Sequence, residues 1–245
     1  MTLEETNAGP DLNGKVALVT GGGRGIGRAI ALALAARGAH AFIAARSEDQ
    51  LEEVAREARD RATPVPADVA SEEDVLRLFS RIREEKGRLD ILINNAGIGA
   101  FGPVAEFDVG ELDRVLAVNL RGTFLCCREA LRIMAPRRSG YIINIASVVG
   151  FKGYPDQGAY TASKHGIVGL TKTLAIEAQE YGIRVSVLSP GGVDTELIGR
   201  ARPDLDRSTL LKPQDIARTV LFLLGLPERA AIDEIYIRRS ASTPW

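Results

Sequence analysis

The chain has 245 residues, 45% hydrophobic and 26% charged, with a formal net charge of −1. That balance offers no field to attract nucleic acid or an anionic membrane, and no apolar run reaches the ~18 residues of a membrane span. The opening MTLEETNAGPDLN lacks the basic and apolar regions of a signal peptide, so a cytoplasmic protein with neither membrane nor nucleic-acid partner is expected.

After an N-terminal extension over residues 1–13, the apolar run Val16–Thr20 predicts a first strand, and five glycines fall within Gly21–Gly27. Ile26, Ala29, Ile30, Ala33 and Leu34 keep the stripe of a helix packed on a sheet. Further strands are predicted at Ala41–Ala45, Thr63–Ala67, Ile91–Asn94, Tyr141–Ala146, Arg184–Leu188 and Glu234–Ile237. Runs such as ILIN and YIINIA are apolar without alternation, as parallel strands covered on both faces require. Ser71, followed by Glu72, Glu73 and Asp74, reads as a helix start with a capping oxygen and acids in the first turn. Cys126 and Cys127 are adjacent, which opposes relaxed disulfide geometry, and both read as small buried apolar residues. Strand–helix alternation from end to end predicts an α/β fold: one doubly wound Rossmann-type domain whose seven-stranded, mostly parallel sheet carries helices on both faces.

The glycines sit between a strand end and a helix start, where open α/β sheets bind ligands. Their spacing is G-x-x-x-G-x-G, through Gly21, Gly25 and Gly27, with Gly23 and Ile26 between. Gly21 suits a tight turn, Gly25 a close approach to a pyrophosphate, and Gly27 close packing of helix on strand. The helix N-terminus offers free N–H groups to the phosphates. A P-loop is excluded, because Gly22-x-x-x-x-Gly27 is followed by Arg28-Ala29 instead of Lys and Ser/Thr. An NAD site places an acid at the end of the second strand; here that strand runs FIAARSED, with Ala45 and Arg46 at the place. Arg46 and Arg24 either face a 2′-phosphate, which suits a forked guanidinium, or are solvated surface residues. The missing acid and the two arginines together favour NADP(H) over NAD(H).

In SVVGFKGYPDQGAYTASKHGIVGL, Tyr160 and Lys164 are spaced i, i+4 and share one face of a helix. Such a pair on its own is usually packing and surface. A phenol near pKa ~10 is a poor catalyst at neutral pH, but a neighbouring ammonium favours its phenolate and fits it for general acid–base work. Ser147 closes the fifth strand, where a hydroxyl can meet a substrate oxygen. His165 projects about 100° from Lys164, and His40 is expected at the surface; no cluster has metal-ligand spacing, so no metal is expected.

TGGGRGIG from Thr20, NNAG from Asn94, Asn119 in VNLRGTF, Ser147, YTASK from Tyr160 and PGGVDT from Pro190 stand in order across nearly the whole chain. In these features the sequence resembles the short-chain dehydrogenase/reductase family, in its branch of about 250 residues, and is similar to the 3-oxoacyl-ACP reductase-like members. The resemblance implies hydride transfer between NADP(H) and a small carbonyl or alcohol substrate. Tyr160 would be general acid or base, Ser147 would polarise the carbonyl, and Lys164 would lower the Tyr160 pKa and bind the nicotinamide ribose. Asn119 would hold a water relaying protons from Lys164. It also implies that Asp68 and Val69 border the adenine and that Asn95, Ala96 and Gly97 line the cofactor cleft. Pro190, Gly191, Val193 and Thr195 would meet the nicotinamide. A homotetramer is implied, paired through helices around Leu112–Met134 and Tyr160–Glu180, and a substrate lid over about 195–212. An NAD-dependent alcohol dehydrogenase and a catalytically silent cofactor-binding sensor or scaffold are the alternatives. The chain departs from many members after its last strand: RRSASTPW replaces the usual glycine-rich close, and this tail could pack on the fold, cover a neighbouring subunit or remain loose.

Overall fold

In a computed structural model, residues 9–202 and 204–243 are described. The strands are β1 (Val16–Thr20), β2 (His40–Ala45), β3 (Ala62–Pro66), β4 (Ile91–Asn94), β5 (Gly140–Ile145), β6 (Ile183–Pro190) and β7 (Glu234–Ile237). The helices are α1 (Gly25–Ala36), α2 (Glu48–Glu57), α3 (Glu72–Lys86), α4 (Val109–Leu116), α5 (Gly122–Met134), α6 (Gly158–Gln179), α7 (Glu196–Ala201) and α8 (Pro213–Leu224). The strands form one sheet in the order β3-β2-β1-β4-β5-β6-β7. Every pairing is parallel, so the expected "mostly" becomes "wholly".

Strand periodicity divides the core into two layers. Ala17 and Val19 of β1 face a cluster with Ile30, Leu34, Leu51 and Val220, from α1, α2 and α8. Val16 and Leu18 face the opposite one with Phe79, Ile82, Leu125 and Leu174, from α3, α5 and α6. Cys126 and Cys127 lie unpaired in this second layer. Burial pushes the Cys126 thiol up, and it pushes Cys127 up to about 12, with Asn144 and Asn94 working against it.

Local signals behave as the residue chemistry requires. Ser71 Oγ accepts from the Asp74 N–H at 3.2 Å and so starts α3. Gly87 ends the helix in the left-handed region, at φ 63°. His40 is a correction: it is half-buried at the start of β2. Its Nε2 lies 2.8 Å from Thr63 Oγ1 and its ring packs edge-on to Phe42, because β2 is flanked by β3 as well as β1. Burial lowers the His40 pKa, with Lys86 adding to the shift. Of the N-terminal extension, residues 1–8 lie outside the described residues; beyond them Leu12 is buried, and its N–H donates to Arg37 O at 2.9 Å.

The strand order reverses between β1 and β4, which opens a crevice at the carboxyl ends of the strands. Among the described residues no helix is long and apolar enough to cross a membrane, and no group of His, Cys, Asp and Glu could hold a metal ion.

Candidate active site

A cleft of about 790 Å³ opens at that reversal. It is lined by Gly21, Gly23, Arg24, Gly25, Ile26, Arg46, Asp68, Val69, Asn95, Ala96, Gly97, Ser147, Tyr160, Lys164, Pro190, Gly191, Val193 and Thr195. Of the site residues expected from the sequence, Gly27 and Asn119 do not border it, and both act from behind.

At one end β1 hands over to α1. Gly21 and Gly25 have φ of 65° and 54°, a region that costs other residues strain. Gly27 allows the close packing: a Cβ there would stand 2.1 Å from Gly21 O. Thr20 organises the neighbouring loop, since its hydroxyl accepts from the Asn95 and Ala96 N–H groups at 3.0 and 3.1 Å. The Asn95 amide in turn donates to Thr20 O and Gly21 O at 3.0 and 3.2 Å, so this side chain braces the glycine loop. Arg24 occupies the cap position of α1 with no side-chain cap bond, and the first turn holds no acid. Its N–H groups and the helix dipole therefore suit an anion, and the tightly braced loop fits a dinucleotide pyrophosphate.

The two arginines differ. Arg46 is exposed after β2 at the cleft edge. Arg24 forms an ion pair with Glu196, the first residue of α7, and so ties the glycine loop to the expected lid. Asp68 Oδ1 accepts from the Ala70 N–H at 2.9 Å, and Val69 is buried against Gly122. Thr195 closes the cleft from the far side, its Cγ2 3.3 Å from where a Gly25 Cβ would be.

Ser147 follows β5, and its hydroxyl caps Val149 N–H at 3.3 Å and reaches Pro190 O at 3.4 Å. Tyr160 and Lys164 stand on one face of α6, with Lys164 Nζ 5.7 Å from the phenol ring centroid. Phe101 packs edge-on to Tyr160 with ring centroids 6.1 Å apart. Lys164 is 4% exposed and donates to Ile145 O at 3.0 Å. Burial lowers its pKa to about 8. Burial also raises the Tyr160 phenol to about 12, against which the Ser147 hydroxyl works. In the chain on its own burial of the phenol is the largest cause of this shift.

Asn119 stands behind the cleft. It is fully buried inside a single π-helical turn, Ala117–Arg121, that joins α4 to α5. Its Oδ1 accepts from the Ile98 N–H at 2.8 Å, and its Nδ2 donates to Ile98 O and Ser163 Oγ at 2.9 and 3.0 Å. Ser163 Oγ then donates to Tyr160 O at 2.7 Å. Asn119 thus links the loop after β4 to the start of α6.

Sequence reasoning missed the tail side of the far wall. Lys152, Tyr154, Tyr236, Arg238, Arg239 and Ser242 all line the cleft. Of the three fates open to the tail, its described part packs on the fold. Arg238 Nη1 donates to the carbonyls of Arg239, Ser240 and Ser242, and Arg239 Nη1 reaches Thr209 Oγ1 in the lid segment at 3.1 Å. Lys152 and Tyr154 come on the loop after β5, whereas only β7 beside β6 brings the tail residues to the site, so no local pattern marked those. His165 is exposed and lies outside the cleft lining.

Comparison with known proteins gives a consistent result. The sequence model of the short chain dehydrogenases matches residues 15–206. An uncharacterised oxidoreductase of Staphylococcus aureus (strain MRSA252) is 39% identical over 228 residues, 93% of this chain and 98% of that protein. The levodione reductase of Leifsonia aquatica is 40% identical over 200 residues, 78% of this chain and 74% of that protein. Among solved structures, a metagenomic short-chain oxidoreductase in complex with NADP superposes with a TM-score of 0.84 at 33% identity, covering 95% of this chain and all of that one. A levodione reductase structure gives 0.83 at 33% identity over 91% of this chain and 96% of that one.

Proposed function

The chain belongs to the short-chain dehydrogenase family and is an oxidoreductase, and from that membership we propose that it reduces a ketone, or a 3-oxoacyl thioester, with NADPH, or runs the reverse oxidation. The observation that carries this reading is the meeting of Ser147, Tyr160 and Lys164 in one cleft with the glycine loop.

When bound, a reduced nicotinamide supplies the hydride. The protein supplies the proton and the field. A phenol pushed up to about 12 stays protonated at neutral pH, as a general acid for carbonyl reduction must. Its O–H is the donor to the oxygen that gains charge, and the Ser147 hydroxyl donates a second hydrogen bond to that oxygen. Lys164, still mostly charged below about pH 8, stabilises the phenolate left behind. Asn119 and Ser163 fix the start of α6, so that Tyr160 meets the substrate without reorganising. The residues present fit the cofactor: Gly25 and the first turn of α1 would receive the pyrophosphate, Lys164 the nicotinamide ribose, and Thr195 the carboxamide.

NADP(H) is preferred over NAD(H) because Arg46 is exposed at the end of β2 and no acid stands there. Two observations support the finer reading: the similar metagenomic protein is in complex with NADP, and another relative is a levodione reductase. A tetramer is supported by exposed apolar residues on the two helices, Phe124 of α5 and Ile176 of α6, which are 52% and 76% exposed. Large apolar side chains left in water on such faces suit a partner surface.

The test is NADPH oxidation against levodione, other ketones and 3-oxoacyl thioesters, with NADH in parallel. Alcohol formed in step with NADPH consumed is expected; silence across the panel in both directions would overturn the reading.

A further inference from the structure

The cations of the lid and tail fall into two groups. Arg207 and Lys212 both pair with Asp194, and Arg202 forms two hydrogen bonds to Asp204, at 2.8 and 2.6 Å. These are ordinary surface pairs. Lys152, Arg200, Arg238 and Arg239 line the same cleft as Ser147 and Tyr160, and among the described residues none has a carboxylate partner; Lys152 hydrogen-bonds the Tyr154 and Tyr236 side chains instead. Arg239 influences Asp204 only as the weakest contributor, behind Arg202. The carboxylates that border the cleft do not offset them: Asp194 is held by Arg207 and Lys212, Glu196 by Arg24, and Asp68 stands after β3.

Two of the four stand on segments that follow strands ending at the cleft. Lys152 is five residues past Ser147, with its ammonium 5.7 Å from the Tyr154 ring centroid. Arg239 lies over the segment after β6: its Nε is 3.7 Å from where a Gly192 Cβ would be, and it donates to Ser242 Oγ at 3.1 Å. The 2′-phosphate expected at Arg46 does not account for Arg239. Arg46 follows β2 and Arg239 follows β7, and these strands stand five places apart in the sheet. At the usual spacing of neighbouring strands that separation is about 24 Å.

Cations without a carboxylate partner, in a partly desolvated cleft, concentrate anions and favour a ligand that neutralises them. We propose that the carbonyl substrate carries a negatively charged group, a carboxylate or a phosphoryl, received between Lys152 of the loop after β5 and Arg239 of the tail. Arg238 holds that tail in place through its three carbonyls. The proposal rests on the reductase reading and narrows its substrate class.

The experiment uses two matched pairs of probes on the full chain: acetoacetate against methyl acetoacetate, and dihydroxyacetone phosphate against dihydroxyacetone. Binding to the protein loaded with NADP⁺ is read by calorimetry, and NADPH oxidation is read separately. At low salt the charged member of at least one pair should bind roughly tenfold tighter or more. The pair that does so identifies carboxylate or phosphoryl as the group. In the double variant Lys152→Met, Arg239→Met that ratio should fall to within about threefold, and salt should erode it in the wild type alone. Equal binding within both pairs, or a preference that survives the double variant, overturns the proposal. Preferential anion binding without turnover of any probe leaves the anion site standing and counts against the reductase reading. Turnover of the neutral members with no anion preference does the reverse.

Discussion

Replacing Glu196 with glutamine removes the carboxylate that holds Arg24 across the mouth of the cleft. Both side chains are largely exposed, at 62% and 66%. The pair is therefore screened by solvent and contributes about 1 kcal/mol at most. If Arg24 turns from Glu196 to the 2′-phosphate, that amount is subtracted from NADPH binding in the wild type. Its removal should tighten NADPH by up to about fivefold, because each ~1.4 kcal/mol is a factor of ten. NADH, which lacks the phosphate, should bind Glu196→Gln and wild type alike. Fluorescence titration at low and high salt reads both constants, and the NADPH gain should shrink as salt rises. An unchanged NADPH constant would refute Arg24 as a phosphate ligand. Equal gains for both nucleotides would show that Glu196 acts by holding the lid.

Arg46→Ala should weaken NADPH by about tenfold and leave NADH nearly unchanged, as expected for one charge-assisted contact, and parallel titrations read the difference. Gly27→Ala places a Cβ 2.1 Å from a backbone oxygen, so α1 must shift off the sheet. A loss of roughly 2 kcal/mol, or a Tm lower by about 4–8 °C, is expected in a melting curve. Lys164 binds its proton less tightly folded than unfolded, with a folded pKa of about 8 against an ordinary 10.5. Between those values the unfolded chain holds more protons, so the Lys164 contribution to stability rises with pH across that window. Urea unfolding should therefore show wild type gaining on Lys164→Met as pH rises through the window, while carbonyl reduction declines as Lys164 loses its charge.

The sequence announced what local chemistry decides. The bounds of β1, β4 and β7 match the structure to the residue, because each apolar run is closed by glycine or polar residues. Boundaries moved where partners decide them. β6 extends to Pro190 because Ser189 and Pro190 pair with Tyr236 and Ile237, and β2 begins at His40, whose N–H donates to Lys15 O at 2.9 Å. The motif residues were legible because phosphate and proton chemistry restricts them to few types at fixed spacing. Asn119 and Asn95 showed their position but not their use: each braces a loop from another element, which spacing along one chain cannot reveal. Burial of the Tyr160 phenol is likewise a property of the assembled cleft. Arg238 and Arg239 stand in a polar tail that carries no motif, and only the β6–β7 pairing brings that tail to the cleft.

The central claim is that the Tyr160 hydroxyl delivers the proton in carbonyl reduction. Its most direct test is Tyr160→Phe, with NADPH binding and single-turnover NADPH oxidation measured on the same sample, using a ketone that the wild type reduces. The account predicts an NADPH dissociation constant within about threefold of wild type and a reduction rate lower by at least the roughly 10²–10⁴-fold of a lost general acid. A rate within tenfold of wild type, with the cofactor still bound, would contradict it.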